Sequence, residues 1–424
     1  MKIDRALAPV GTLVTFSDRF VEDENPLGIL SKAAVLIKGD EIVWVGKQDD
    51  VPPEFDLSEA DIQDLSEDTV FPGFIDAHTH LVFAGSRANE FDMRVRGASY
   101  LEILQAGGGI NATVRMTREA SFDELYDLGM RRLDAMLREG VTTVEAKSGY
   151  GLTLEGELRL LEVIQALNRD HVVDVVPTFL GAHTIPEAFK TNPRGYVDLV
   201  IHEMLPAVAE RNLAEFCDVF CEEGVYDIET SREILEAARE KGLKLKIHAD
   251  QLTALGGGRL AAELGATSAE HLEYLREEDI PAFKEAGTVA VLLPVAAMYL
   301  MMEKMPPVKS LLKQGAPVAF ATDFNPGSAP CLSLLTTMTM AAILYHLPSD
   351  EVLRGVTVHA ARAVGRETKL GKVEAGFQAD LAVFPVRDHR LVATTFGGVL
   401  PSRVMKGGKW ASLSFPCEPI MTAL

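Results

Sequence analysis

Cysteine is scarce: four thiols, Cys217, Cys221, Cys331 and Cys417, stand in 424 residues. Four are too few for a disulfide scaffold, and their spacing has no paired zinc pattern. Cys217 and Cys221 fall inside an apolar run, which reads as buried thiols in a reducing compartment. Long apolar runs are missing too. The longest, Val289 to Met302, is broken by Pro294 and falls short of the ~20 residues a membrane span needs. Positive charge is in the minority, with 41 Lys and Arg against 62 Asp and Glu and a formal net charge of −21. No basic cluster stands out against that balance, so a nucleic-acid surface is excluded and the acidity favours solubility. The opening Met-Lys-Ile-Asp-Arg lacks the apolar stretch of a secretory signal. A cytoplasmic protein with neither nucleic acid nor membrane as partner is expected.

What is present is enough apolar material, 47% of residues, for a large core. The length admits two or three domains, or one β/α barrel of about 250 residues with a smaller unit beside it. The first seventy residues read as short strands. Ala33–Lys38 and Glu41–Gly46 alternate around Gly39–Asp40, a hairpin signal. From Thr69 onward, eight apolar β-rich segments alternate with helical ones: Thr69–Ala77, Thr142–Lys147, Val172–Leu180, Phe216–Cys221, Leu243–His248, Ala266–His271, Thr288–Leu293 and Pro317–Thr322. The helices between them have readable ends. Ser121-Phe-Asp-Glu124 is a capping box whose helix runs out at Gly140. Ser231 opens another, closed by Gly242, and a third runs from about Glu277 to Gly287.

Eight βα units predict an α/β fold, a (β/α)8 barrel of the TIM type, over 69–370; a doubly wound open sheet is the rival. Strands return after Gly371, with Ala379–Pro385 the clearest. Residues 371–424 are expected to join 1–68 in a small β-sandwich domain. The run Gly107–Gly109 follows a helix-like stretch and not a strand, so it reads as a loop and not a phosphate cradle.

Barrel active sites lie at the C-terminal ends of the strands, so the residues ending each strand carry the weight. Strand one ends Asp76-Ala-His78-Thr-His80, and a period of two sets both imidazoles on one face. Strand five ends at His248, strand six at His271, and strand eight at Asp323. One histidine at a strand end is incidental; four imidazoles and a carboxylate, all at catalytic ends, are not. Three neutral imidazoles with one carboxylate suit zinc or iron. His171, His202, His346, His359 and His389 sit at element starts, on helices or late in the chain, and read as structural.

The stretch Phe71-Pro-Gly-Phe-Ile-Asp-Ala-His-Thr-His80 resembles the opening motif of the amidohydrolase superfamily, and Gly371-Lys-Val-Glu-Ala-Gly-Phe-Gln-Ala-Asp380 resembles its closing motif. Within it, Phe83–Arg87, Gly107–Ile110, Lys147–Gly151, Leu180–His183, His248–Gln251 and Thr322–Ser328 are similar to the imidazolonepropionase family, across essentially the whole chain. The resemblance implies hydrolysis of a small cyclic amide and one metal ion per chain, zinc or iron. His78, His80, His248 and Asp323 would be its ligands. It also implies that Arg87, Tyr150, His183, Gln251 and Ser328 touch substrate, that Tyr150, Asn325 and Gly327 touch product, and that the protein is a homodimer.

The residue types agree. An arginine fork suits a carboxylate, and Tyr150, His183 and Gln251 offer donors and acceptors to a polar ring. Asp323 would serve as ligand, base and acid, while His271 would hydrogen-bond the oxyanion or orient the water. Relatives with two metals bridge them by a carboxylated lysine after strand four. Here that strand ends Cys221-Glu222-Glu223; Lys147 follows strand two, and Glu222 is the alternative bridge. Base deaminases of the superfamily carry Glu where this chain has Gln251, and an amide does not shuttle protons. A deaminase of a small nitrogen heterocycle is nonetheless the near alternative, and a non-catalytic binding barrel the distant one.

Overall fold

The computed structural model describes residues 1–98, 102–103 and 106–412; Cys417 lies outside the described residues. At the N-terminus β1 (Arg5–Val14) pairs antiparallel with β2 (Ile29–Lys38), and β2 with β3 (Glu41–Lys47) across the expected Gly39–Asp40 turn. Gly39 takes φ 62° there, which a residue without a Cβ adopts at no steric cost. β4 (Asp61–Pro72) lies parallel to β1.

The chain then enters the barrel. Its strands are β5 (Phe74–Thr79), β6 (Val141–Lys147), β7 (Asp174–Ala182), β8 (Phe216–Cys221), β9 (Lys244–Ala249), β10 (Ser268–His271), β11 (Val289–Leu292) and β12 (Val318–Phe320). Each is parallel to the next. The sheet closes on itself just past β12: Thr79 bridges Phe324, Asp323 N donates to the His78 carbonyl at 3.0 Å, and His80 N donates to the Phe324 carbonyl at 3.0 Å. Closure excludes the doubly wound alternative. The seam carries a side-chain tie as well, because the buried Asp76 carboxylate accepts from Thr322 N at 3.1 Å and Thr322 Oγ1 at 2.6 Å.

Two sequence expectations shift. The segment Thr69–Ala77 divides at Gly73. Thr69–Pro72 completes β4 in the mixed sheet, and only from Phe74 does the chain run in the barrel. Gly73 is the crossing point: its N donates to the Asp380 carbonyl at 2.7 Å, and a Cβ there would collide with Thr142. The helix expected from Ser231 begins three residues earlier, as Ile228–Glu240. Asp227 caps it by accepting from Thr230 N at 2.8 Å, and Ser231 is buried inside it. The Ser121 capping box of Phe122–Leu137 forms as expected.

After the barrel, β13 (Leu381–Phe384) pairs antiparallel with β4, then β14 (Arg403–Lys406) with β13 and β15 (Lys409–Trp410) with β14. The seven-stranded order is β15-β14-β13-β4-β1-β2-β3. The sheet curls, so that the outer strand β3 meets the chain leading into β13: Ile42 N donates to the Phe377 carbonyl at 2.9 Å, and Gly376 N to that of Ile42 at 2.8 Å. Leu7, Val35, Ile37, Val70, Leu381 and Met405 fill the interior so enclosed. The ends of the chain thus build one small β unit beside the barrel.

Candidate active site

The strand ends converge as the sequence predicts. His78 lies on β5 with His80 just after it, His248 on β9, His271 at the end of β10 and Asp323 just past β12; all five are buried. The donor atoms of His78, His80 and Asp323 lie within 4.8 Å of one another, and so do those of His78, His248 and His271. Asp323 Oδ1 is 3.4 Å from His78 Nε2 and 3.5 Å from His80 Nε2. Two of the positions are conformationally strained. Asp323 has φ 54° and His271 φ 76°, left-handed values that non-glycine residues keep where the surroundings enforce them.

This cluster fits a metal ion. Both ring nitrogens of His78, Nδ1 of His80 and Nε2 of His248 are buried without any hydrogen bond, a costly state for polar atoms. Burial first, and then the charge on Lys147, hold His78 well below the ordinary histidine range; burial also lowers His80, against its hydrogen bond to Asp323. Both imidazoles are therefore neutral and their lone pairs free. Burial alone would raise the Asp323 carboxyl, but the His80 hydrogen bond and the surrounding imidazoles outweigh it, and the group falls below its usual value. Neutral imidazoles beside an ionised carboxylate form a zinc- or iron-type donor set.

Beneath the cluster is a layer of buried charge. The Lys147 ammonium is 2.7 Å from Glu145 Oε1 and 2.8 Å from Asp218 Oδ2, with all three side chains fully shielded. Despite burial, Asp218 and Glu145 raise Lys147 above an ordinary lysine, so it stays protonated and cannot take up a carboxyl group. Asp218 Oδ2 also lies 2.9 Å from His248 Nδ1, close but off the line of a good hydrogen bond. His248 and Lys147 keep the Asp218 carboxyl well below its usual range against its burial. Such an anion behind an imidazole fixes the tautomer that turns the other nitrogen outward. Glu222 does not face the cluster. Its oxygens accept from Leu252 N at 2.8 Å, Glu223 N at 3.0 Å and Thr253 Oγ1, which ties down the loop after β9.

Above the cluster opens a cavity of about 750 Å³, lined by Arg87, Tyr150, His183, Gln251, Asn325 and Ser328 among others. Arg87, Tyr150 and Gln251 sit on or beside buried acids that the sequence reading did not single out, Glu90, Glu157 and Asp250. Arg87 gives Nε and Nη2 to Glu90, at 2.9 and 2.7 Å, and Glu90 also accepts from Gly109 N at 3.1 Å. The remaining Nη1 packs against Gly327, where a Cβ would run into it. Tyr150 rides on a loop whose amides at Gly149, Gly151 and Leu152 all donate to the buried Glu157 carboxylate. His183 stacks on His80 with centroids 4.9 Å apart, and its Nδ1 lies 3.0 Å from the Gly149 carbonyl. Gln251 follows Asp250, whose carboxylate accepts from the amides of Gly256, Gly257 and Gly258. Asn325 is turned inward. Its Nδ2 donates to the Asp323 carbonyl at 2.7 Å, and its Oδ1 accepts from Gly327 N and Ser328 N at 2.8 Å each. In this state the Asn325 side chain braces the loop that carries Asp323.

A parallel barrel with a histidine–aspartate cluster at its mouth is the architecture of a metal-dependent hydrolase. The chain belongs to the amidohydrolase family, whose sequence model matches residues 69–411. Within that family it is 46% identical over 390 residues to the imidazolonepropionase of Shewanella frigidimarina, covering 92% of this chain and 95% of that one. It is 48% identical over 386 residues to the imidazolonepropionase of Shewanella amazonensis, covering 90% and 93%. Among solved structures, an adenosine deaminase from Xanthomonas campestris with bound zinc superposes with a TM-score of 0.71 at 19% identity, over 96% of this chain and 93% of that one. The structural likeness carries the fold; the sequence likeness groups the chain with the imidazolonepropionases.

Proposed function

We propose that this enzyme hydrolyses the ring amide of 4-imidazolone-5-propanoate to N-formimidoyl-L-glutamate, a step of histidine degradation. One metal ion, zinc or iron, would be held by His78, His80, His248 and Asp323. The observation that carries the reading is a single cavity whose floor is the buried histidine–aspartate cluster and whose wall carries Arg87. The metal would lower the pKa of a water towards neutrality and polarise the carbonyl under attack.

The chain's own residues do the rest. Asp323 Oδ1 faces His78 and His80, leaving Oδ2 to accept a proton from the attacking water. The water oxygen bonds to the ring carbonyl carbon, the carbon–nitrogen bond breaks, and Asp323 returns the proton to the departing ring nitrogen. His271 hydrogen-bonds the developing oxyanion or orients the water. Arg87 answers the propionate, and Tyr150, His183, Gln251 and Ser328 hold the ring. Asn325 and Gly327 shape the side on which product forms. Lys147, held protonated between two acids, and Glu222, spent on its loop, both support one metal over a bridged pair. The same reading extends to a cytoplasmic homodimer, as the family implies.

The test is to incubate metal-analysed protein with fresh imidazolone propionate and follow loss of its ultraviolet absorbance. Ring opening without ammonia, with about one zinc or iron per chain and no turnover after chelation, is expected. Ammonia release would point to a deaminase; full activity after metal removal would end the metal mechanism.

A further inference from the structure

Glu273 is a carboxylate in the wrong place for a structural acid. It is fully buried, and neither oxygen has a hydrogen-bond partner. An ionisable group buried without partners is costly to keep. It follows His271 by two residues, and its Oε2 lies 3.9 Å from His271 Nδ1. That ring nitrogen is itself buried without a hydrogen bond. The intervening backbone is left-handed at two successive non-glycine residues, His271 at φ 76° and Leu272 at φ 70°. This turn folds the acid back behind the ring. Burial, and then Glu273, raise the buried Tyr345 hydroxyl, which is likewise without a partner. His271 itself lines the cavity.

We infer that Glu273 is the positioning residue of His271, accepting the Nδ1 hydrogen so that the Nε2 lone pair faces the cavity. A small turn of the ring converts the 3.9 Å approach into a hydrogen bond. In that tautomer Nε2 accepts a hydrogen bond and does not donate one. Of the two roles open to His271, orienting the attacking water is then the one it fills. The inference rests on the proposed hydrolysis for its catalytic consequence, but the tautomer stands independently of the substrate.

The test uses the full chain with Glu273→Met, Glu273→Gln and Tyr345→Phe. In metal-free protein, ¹⁵N-histidine NMR reads the His271 tautomer, with His271→Asn to assign the signal. The parent should carry its proton on Nδ1, and Glu273→Met should lose that preference. Loaded with metal, Glu273→Met should lower kcat about 10- to 100-fold, as for other outer partners of catalytic imidazoles, with KM changed less than about threefold. Its thermal midpoint should hold or rise, because a buried ionisable side chain gives way to an apolar one of similar size. Glu273→Gln keeps an acceptor oxygen and should restore part of kcat, while Tyr345→Phe should leave the tautomer unchanged. A parent His271 protonated on Nε2 would overturn the inference. So would a Glu273→Met protein whose activity falls only in step with its stability. If the tautomer responds as expected but imidazolone propionate is not turned over, the substrate assignment fails and the Glu273–His271 pairing stands.

Discussion

Replacing Lys147 by Met would leave Glu145 and Asp218 in the barrel interior with no cation between them. In the native protein the ammonium is 2.7 Å from one and 2.8 Å from the other, and none of the three meets solvent. Removing one partner of a buried pair costs about 3–5 kcal/mol, because a charge is stranded and not because an attraction is lost. Two anions are stranded here, so the upper end of that range is expected. Asp218 also stands behind His248, so its displacement should loosen a metal ligand, about 10- to 100-fold in affinity. The double variant Lys147→Met/Asp218→Asn removes one stranded charge and should be more stable than the sum of the single losses, with a coupling of about 0.5–3 kcal/mol. Urea unfolding of the metal-free protein measures the stability, and competitive metal titration measures the affinity. A loss below about 1 kcal/mol for Lys147→Met, or strict additivity in the double variant, would refute the reasoning.

Asp323→Asn keeps an oxygen for the metal but removes the base, and turnover should fall at least ~10²-fold with metal content intact. Gln251→Ala should instead raise KM more than it lowers kcat; equal inactivity of the two would show that the proton roles are misassigned. Arg87→Met should cut kcat/KM about 10- to 100-fold, the equivalent of one charge-assisted contact, and an analogue lacking the propionate should be indifferent to it. Because Arg87 also neutralises Glu90, adding Glu90→Gln should recover stability but not that discrimination. His359 offers a pH test. Burial, aided by Arg354 and Arg362, lowers it from 6.5 to about 4. As pH falls below 6.5 the unfolded chain binds a proton that the folded chain refuses, so stability declines down to about pH 4, by at most ~3 kcal/mol. His359→Leu should flatten that part of the acid unfolding curve relative to the parent; identical curves would exclude the contribution.

Much of the fold was legible because β/α alternation repeats with each unit and its ends are chemically marked. The Ser121 box formed as read, and each catalytic candidate stands at or near the C-terminal end of its strand. The two misplaced boundaries have one cause. Apolar continuity across Thr69–Ala77 hides a change of sheet, since strands buried in either sheet look alike in composition. Only Gly73, squeezed against Thr142, marks the crossing. Ser231 was read as a cap because Ser, like Asp, can cap a helix; Asp227 lies one turn earlier and takes the amide first.

The supporting acids were less legible, and the reason is chemical. The charged layer left a visible trace, since Glu145 and Lys147, then Lys246 and His248, then Ser268 and Glu270 recur two apart within otherwise apolar strands. That period says the residues share the barrel interior. It does not say that Lys147 meets Asp218, which lies on another strand. The loop acids are harder still. Glu157, Glu222 and Asp250 are the same residue types as the proposed base, stand near the same strand ends, and belong to a pool of 62 acids. What separates them is the donors they face. Glu157 accepts from three amides, Glu222 from two amides and a hydroxyl, and Asp250 from three amides, so most of the acceptor capacity of each is spent on its loop. Asp323 faces imidazoles and Ser328 Oγ but no amide. An acid bound by backbone shapes a loop, whereas one left to titratable or cationic partners is free to do chemistry. Glu273, with no amide on its oxygens among the described residues and the His271 ring beside it, falls on the second side of that division.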